Sequence, residues 1–165
     1  MRLSNGYNAL QILLHWTIAI LIVAQLITGD TMAEVFQRVR EVEGEGARGT
    51  TAMLHMGVGA TILVLATVRV IARAMYGVPP SSPASPSWDV LLSRASHAAM
   101  YVLLFAVPLA GLTTWISKSE SIGELHSTLK SLLVLIVVAH ILGALWHQFY
   151  LKDNLIRRMT RPNAQ

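Results

Sequence analysis

The sequence predicts an all-α integral membrane protein: one four-helix transmembrane bundle over residues 1–165. Three observations carry this reading. Only 13% of the residues are charged and 53% are hydrophobic, with mean hydropathy +0.52, whereas a soluble domain carries about 25% charged residues. Four apolar runs approach the roughly 20 residues that a helix needs to cross a bilayer. Six histidines lie in or beside those runs, where an ionisable group is costly and marks function. The absence of cysteine excludes disulfides, iron–sulfur clusters and covalent CxxCH haem attachment. The net charge of +4 follows membrane topology in its placement and points to no nucleic-acid partner.

Residues 1–8 form a polar lead with one charge, Arg2. The first helix is expected over 9–28. A basic start and a small-x-small site would mark a cleaved signal; neither is clear, and His15 and Gln25 suit a retained span. Residues 29–50 read as a polar loop of mixed charge, with a short surface helix over 35–42 broken by Gly44, Gly46 and Gly49. The second helix is expected over 51–75, with His55 near its start and Arg69 and Arg73 near its end. Gly57 and Gly59 thin it beside His55, as small residues do where helices or a flat ring come close. A proline–serine linker, GVPPSSPASPSW, follows and cannot be regular helix.

Residues 89–96 read as a short interfacial turn. The third helix is expected over 97–116, bent near Pro108 and Gly111, and then a polar loop over 117–125. The fourth helix is expected over 126–150, followed by a basic surface tail. Arg2, Arg69, Arg73, Arg94, Lys152, Arg157, Arg158 and Arg161 fall on one side, against Asp89 and Asp153. The positive-inside rule therefore puts both termini and the linker in the cytoplasm. Trp16, Trp88, Trp115 and Trp146 read as interfacial anchors, and the methionines, Met53 and Met56 included, as packing.

The histidines sort by depth. His126 and His140 are fourteen positions apart on the fourth helix, which returns to within about 40° of the same face and separates them by roughly 21 Å. His147 continues the stripe seven positions on. His55 matches His126 in depth on the outer side, and His15 matches His140 in the cytoplasmic half. Neutral imidazole is the usual axial ligand of haem iron, so the pairs read as two bis-histidine haem b sites. Any one histidine alone can equally tie two helices by a hydrogen bond; the matched depths argue for haem. Arg69 is fourteen positions after His55, at the inner level. Two readings stand for it: partner to a haem propionate, or a side chain snorkelling to the interface. Arg73 reads as snorkelling. His97 and His147 read as surface residues or as the lining of a polar cytoplasmic pocket.

These residues resemble the prokaryotic cytochrome b561 family over nearly the whole chain. The likeness rests on LQILLHW, on MLHMG followed by VRVIAR, on HAAMYVLLFAVPLAGL, and on LHSTLKSLLVLIVVAHILGALWHQFYLKDNLIRRM. The histidine spacing of the last segment is also similar to that in cytochrome b subunits of membrane formate dehydrogenases and hydrogenases. The resemblance implies a diheme cytochrome b of the bacterial inner membrane, passing electrons between the periplasmic side and quinone. One type in the family is a superoxide oxidase that reduces ubiquinone. Carried over, His55 and His126 would hold the entry haem and His15 and His140 the exit haem. His97 and His147 would serve a propionate or the quinone.

Six-coordinate haem suits outer-sphere electron transfer, and quinone reduction needs protons, for which His147, His97 and Asp153 are available. Superoxide is an anion, which a positive mouth would steer. The outer loops carry five basic against seven acidic residues, leaving Lys118, Lys130 and Arg48 to form a local patch. No residue is assigned as catalytic and no protein partner is indicated. Three functions remain distinct: a superoxide:ubiquinone oxidoreductase, an electron-transfer subunit of a dehydrogenase or hydrogenase, and a non-redox helical protein.

Overall fold

A computed structural model describes residues 6–41, 49–80 and 86–162. Arg2, Gly44, Gly46, Arg48 and residues 81–85 of the linker lie outside the described residues. The elements are α1 (Ala9–Glu41), α2 (Thr50–Tyr76), α3 (Ser87–Ser117) and α4 (Glu120–Trp146). A π turn (His147–Leu151) and a short α5 (Leu155–Arg158) follow. The described residues contain no strand. Ala9–Gly29, Thr50–Tyr76, Ser87–Ser117 and Glu120–Leu151 are each long and apolar enough to span a bilayer. Large apolar side chains such as Leu13, Ile20, Val64, Val102 and Leu135 are exposed on them, as a lipid-facing surface requires.

The helix ends have local causes. At the start of α1, Gln11 N–H donates to Asn8 Oδ1 (2.8 Å) and Asn8 N–H to Gln11 Oε1 (3.3 Å), a reciprocal cap that satisfies donors the helix leaves open. Gln11 Nε2 also donates to Gly77 O at 3.0 Å, tying this end to the end of α2. There Gly77 takes φ +74 and returns its N–H to Arg73 O, a glycine stop.

Three expectations are corrected. The surface helix expected at 35–42 is the continuation of α1, whose 33 residues extend about 50 Å, past a core about 30 Å thick. The turn expected at 89–96 is helical, because α3 begins directly after Pro86 with Asp89 in its first turn, where an acid suits the helix dipole. The loop expected at 117–125 shrinks to Lys118 and Ser119: Lys118 turns left-handed at φ 51 and α4 starts at Glu120. Through Pro108, α3 stays unbroken.

Packing is sequential. α1 lies on α2, α2 on α3, and α3 on α4, with no comparable packing of α4 on α1 or α2. A seam therefore runs between α4 and the first two helices. Ile18, Ile62, Ala66 and Leu104 form the buried cluster, and Leu133 is the buried residue of α4. Seven-residue steps pass through this layer on three helices: His55–Ile62–Arg69, Gly111–Leu104–His97 and His126–Leu133–His140. Each step is about 10.5 Å, so on α2 and α4 an apolar residue lies between two polar ones, and on α3 Leu104 lies between Gly111 and His97.

Candidate functional site

The inner polar layer brings three imidazoles together. The ring centres of His15 and His140 are 6.4 Å apart, with planes at 69°. Those of His97 and His140 are 5.1 Å apart, near perpendicular at 84°. These distances discriminate between ligand pairs. Two metal–nitrogen bonds of about 2 Å, with a little over 1 Å from each nitrogen to its ring centre, span roughly 6.3 Å. Both contacts are edge-on, and of the two only the His15–His140 spacing reaches that span. This pair faces across the seam between α1 and α4, and its donor set suits a haem.

His97 Nδ1–H donates to Ser93 O, one turn back on its own helix, at 2.6 Å. A carbonyl only accepts, so the neutral ring carries its lone pair on Nε2. His97 and His147, both expected near the cytoplasmic end, have different surroundings: His97 lies beside His140. His147 lies instead between two carboxylates, Nδ1 to Asp153 Oδ2 at 2.6 Å and Nε2 to Asp89 Oδ2 at 3.0 Å. Both nitrogens are engaged, and neither is free for a metal. The clasp joins the C-terminal segment to the start of α3. It holds Lys152 and Asn154 left-handed at φ 53 and 58, conformations that cost roughly 1–2 kcal/mol each. Leu155 N–H caps the turn on Asp153 Oδ1 at 3.1 Å.

The outer layer holds His55 and His126, which are within electrostatic reach of each other. His126 Nδ1–H donates to Val107 O at 2.9 Å, leaving Nε2 as the lone-pair nitrogen. At His55 the partner is Thr28 Oγ, 3.3 Å from Nδ1. That hydroxyl gives its single proton to Ala24 O at 3.1 Å, so it accepts from Nδ1–H and again leaves Nε2 free. Such outer partners fix the tautomer and ring orientation of a ligating histidine. Sequence reasoning did not find Thr28.

Glycine makes the room, at two positions. A Cβ on Gly111 would come 2.9 Å from His126 Cε1, and one on Gly59 would come 3.0 Å from Gln25 Nε2. Gln25 Nε2 donates to His55 O at 2.9 Å, bringing α1 against α2 at the outer level. Gly57, expected to share this role, has nothing within 4 Å of its Cβ position.

Arg69 faces the bundle rather than the interface. Its Nε donates to Tyr101 Oη at 3.1 Å and its Nη1 to Gln11 O at 3.3 Å. It acts electrostatically on His15, His97 and His140. Arg73 stands over the Tyr101 ring at 5.9 Å, so it too turns inward and does not snorkel as expected. With Tyr7 and Gln11 these residues line a cleft.

The family model for prokaryotic cytochrome b561 matches residues 6–162. Cytochrome b562 of Cereibacter sphaeroides is 37% identical over 163 residues, covering 98% of this chain and 99% of that protein. Cytochrome b561 homolog 1 of Escherichia coli is 28% identical, covering 94% and 97%. The probable superoxide oxidase CybB of Yersinia pestis is 25% identical, covering 95% and 97%. With two polar layers of histidine at the ends of an apolar bundle, and a family match along almost its whole length, the chain belongs to the prokaryotic cytochrome b561 family.

Proposed function

We propose that this chain is a diheme cytochrome of the bacterial inner membrane that takes electrons from superoxide at the periplasmic side and delivers them to ubiquinone. Membership of the family already makes it a bacterial membrane electron-transfer protein with b-type haem. The observation that carries the finer reading is the His15–His140 spacing of 6.4 Å across the seam between α1 and α4. His15 and His140 hold the inner haem, and His55 and His126 the outer one. Two b haems bound there supply one-electron carriers between the membrane faces.

The chain's own residues do the rest. Thr28 and the Val107 carbonyl present the outer Nε2 atoms. Two histidines per iron would leave no open position, which would favour outer-sphere transfer over oxygen binding. Two superoxide ions each lose one electron and leave as dioxygen; ubiquinone gains two electrons and two protons. His97, His147 and Asp153 are the groups near the cytoplasmic end that can carry those protons. Arg69 pairs with a propionate. The balance of basic residues orients both termini to the cytoplasm.

The superoxide assignment draws on the likeness to a probable superoxide oxidase and on Lys130, which is within electrostatic reach of His55 and can attract an anion. A second reading is a carrier or electron-transfer subunit reduced by another protein; the relative with the higher identity is named a cytochrome and not an oxidase. Haem quantitation as pyridine haemochrome tests the core: wild type should hold two haems, and His126→Ala and His140→Ala one each, at opposite levels. Two haems in either variant would refute the pairing. Stopped-flow mixing with superoxide separates the two readings. Haem reduction no faster than superoxide dismutes by itself would leave the carrier.

A further inference from the structure

We propose that the cleft formed by Tyr7, Arg69, Arg73 and Tyr101 is a dianion site that takes both propionates of the inner haem, so that this haem is seated with its carboxylate edge toward the chain's N-terminal lead. The inference rests on the inner-haem reading above and extends it to the group's orientation.

Charge imbalance is the first ground. Arg69 and Arg73 are four positions apart on α2, neighbours on one helix face, where like charges repel. Among the described residues no carboxylate lies within ion-pair distance of either: the acids that pair do so with Arg38 and His147. Two guanidiniums inside an apolar bundle call for two negative charges. A haem edge carries two carboxylates.

Placement is the second ground. Gln11 lies one helical turn from His15, a proposed ligand of the inner haem, and Tyr101 one turn from His97, whose ring touches that of His140, so the cleft adjoins the inner histidine layer. Tyr101 Oη already accepts from Arg69 Nε, which leaves its proton to donate. The third ground is donor chemistry. Tyr7 is electrostatically engaged with Arg73, Arg69 and Tyr101, and burial pushes its phenol up. It is therefore a neutral O–H donor. Gln11 is committed to Asn8 and Gly77 and forms the wall. The cleft thus offers two planar cations and two phenols, a set suited to carboxylates that Arg binds in bidentate fashion.

The test uses the purified holoprotein in zwitterionic nanodiscs, after haem stoichiometry has been measured. Arg73→Gln should lower the reduced-to-oxidised ratio of the inner haem about tenfold at fixed ambient potential, equivalent to about 59 mV for one electron. The outer haem should not move. The propionate bending band in resonance Raman should shift, and Arg73→Lys should recover most of the ratio. An unchanged ratio and band in Arg73→Gln would overturn the proposal. So would an inner-haem ratio that changes when anionic phospholipid is added to wild type, which would make the cleft a phosphate site for lipid. Loss of the inner haem from wild type itself would instead strike the haem assignment, a distinct outcome.

Discussion

Gly111→Ala is the sharpest perturbation of the outer site, because it adds one methyl group and touches one side chain. The new Cβ would stand 2.9 Å from His126 Cε1 and 3.0 Å from Nδ1. Carbon contacts relax at about 3.5–4.0 Å, so the ring must retreat by at least about 0.6 Å. It cannot do so freely, because Nδ1–H is held by Val107 O on the same helix turn as the intruding methyl. A ligand set tolerates displacements of about 0.5 Å, and overpacking of this kind costs about 1–3 kcal/mol. The expected outcome is a roughly 5- to 150-fold weaker hold on the outer haem, with the inner one retained. Haem stoichiometry and the reduced α band read it directly. Gly57→Ala is the control, since its Cβ would meet nothing within 4 Å and alanine favours helix. Two full haems and an unaltered outer band in Gly111→Ala would refute the geometry.

Other outcomes follow from the same contacts. Thr28→Ala removes the acceptor of His55 Nδ1–H, worth about 0.5–1.5 kcal/mol; a less basic ligand favours ferrous iron, so spectroelectrochemistry should show the outer midpoint rising, with Thr28→Ser restoring it. Asp153→Asn keeps the cap on Leu155 N–H but removes the charge facing His147, at about 1–3 kcal/mol; limited proteolysis should then cut the C-terminal segment sooner, and an unchanged rate would count against the clasp. Tyr7 has a phenol raised by burial, so its contribution to docking the lead is present below about pH 10 and is lost as pH rises above it. An alkaline transition in the inner-haem spectrum should move or vanish in Tyr7→Phe and persist unchanged if the lead is not part of that site.

Much of this architecture was legible because membrane helices announce themselves by apolarity, and the fourteen-residue step from His126 to His140 is a property of helix geometry alone. What escaped did so for physical reasons. Apolarity locates only the part of a helix in lipid, so Asp89–Ser96 read as a turn, and Ser87 and Trp88 as linker, although nothing after Pro86 forbids helix. Counted from Ser87, His97 lies about 15 Å into its helix, beside His140, which suits the pocket reading over the surface one. Thr28 sits 27 residues from His55, and Asp89 sits 58 from His147. No local pattern links such partners. Gly111 was visible only as a bend, because its role depends on a ring carried by another helix. Arg73 was read by its distance from the helix end, whereas the Tyr101 ring that turns it inward belongs to α3.

On the diheme reading proposed above, the seven-residue layering keeps two redox levels apart in one chain without joining them by water. On α2 and α4 the same step passes from a polar residue through Ile62 or Leu133 to a second polar residue, and on α3 it passes from Gly111 through Leu104 to His97. With Ile18 and Ala66 those side chains fill mid-span, where Ala66 has no exposure and Ile18 only 4%. A proton crossing this layer would have to leave every hydrogen-bond partner, at a cost of several kcal/mol or more. An electron needs only two acceptors a short way apart through packed matter. The layer is therefore selective by what it lacks, and the histidines are placed at its two faces and not within it. A bundle whose polar groups were spread evenly along α4 would have the same composition and would insulate nothing.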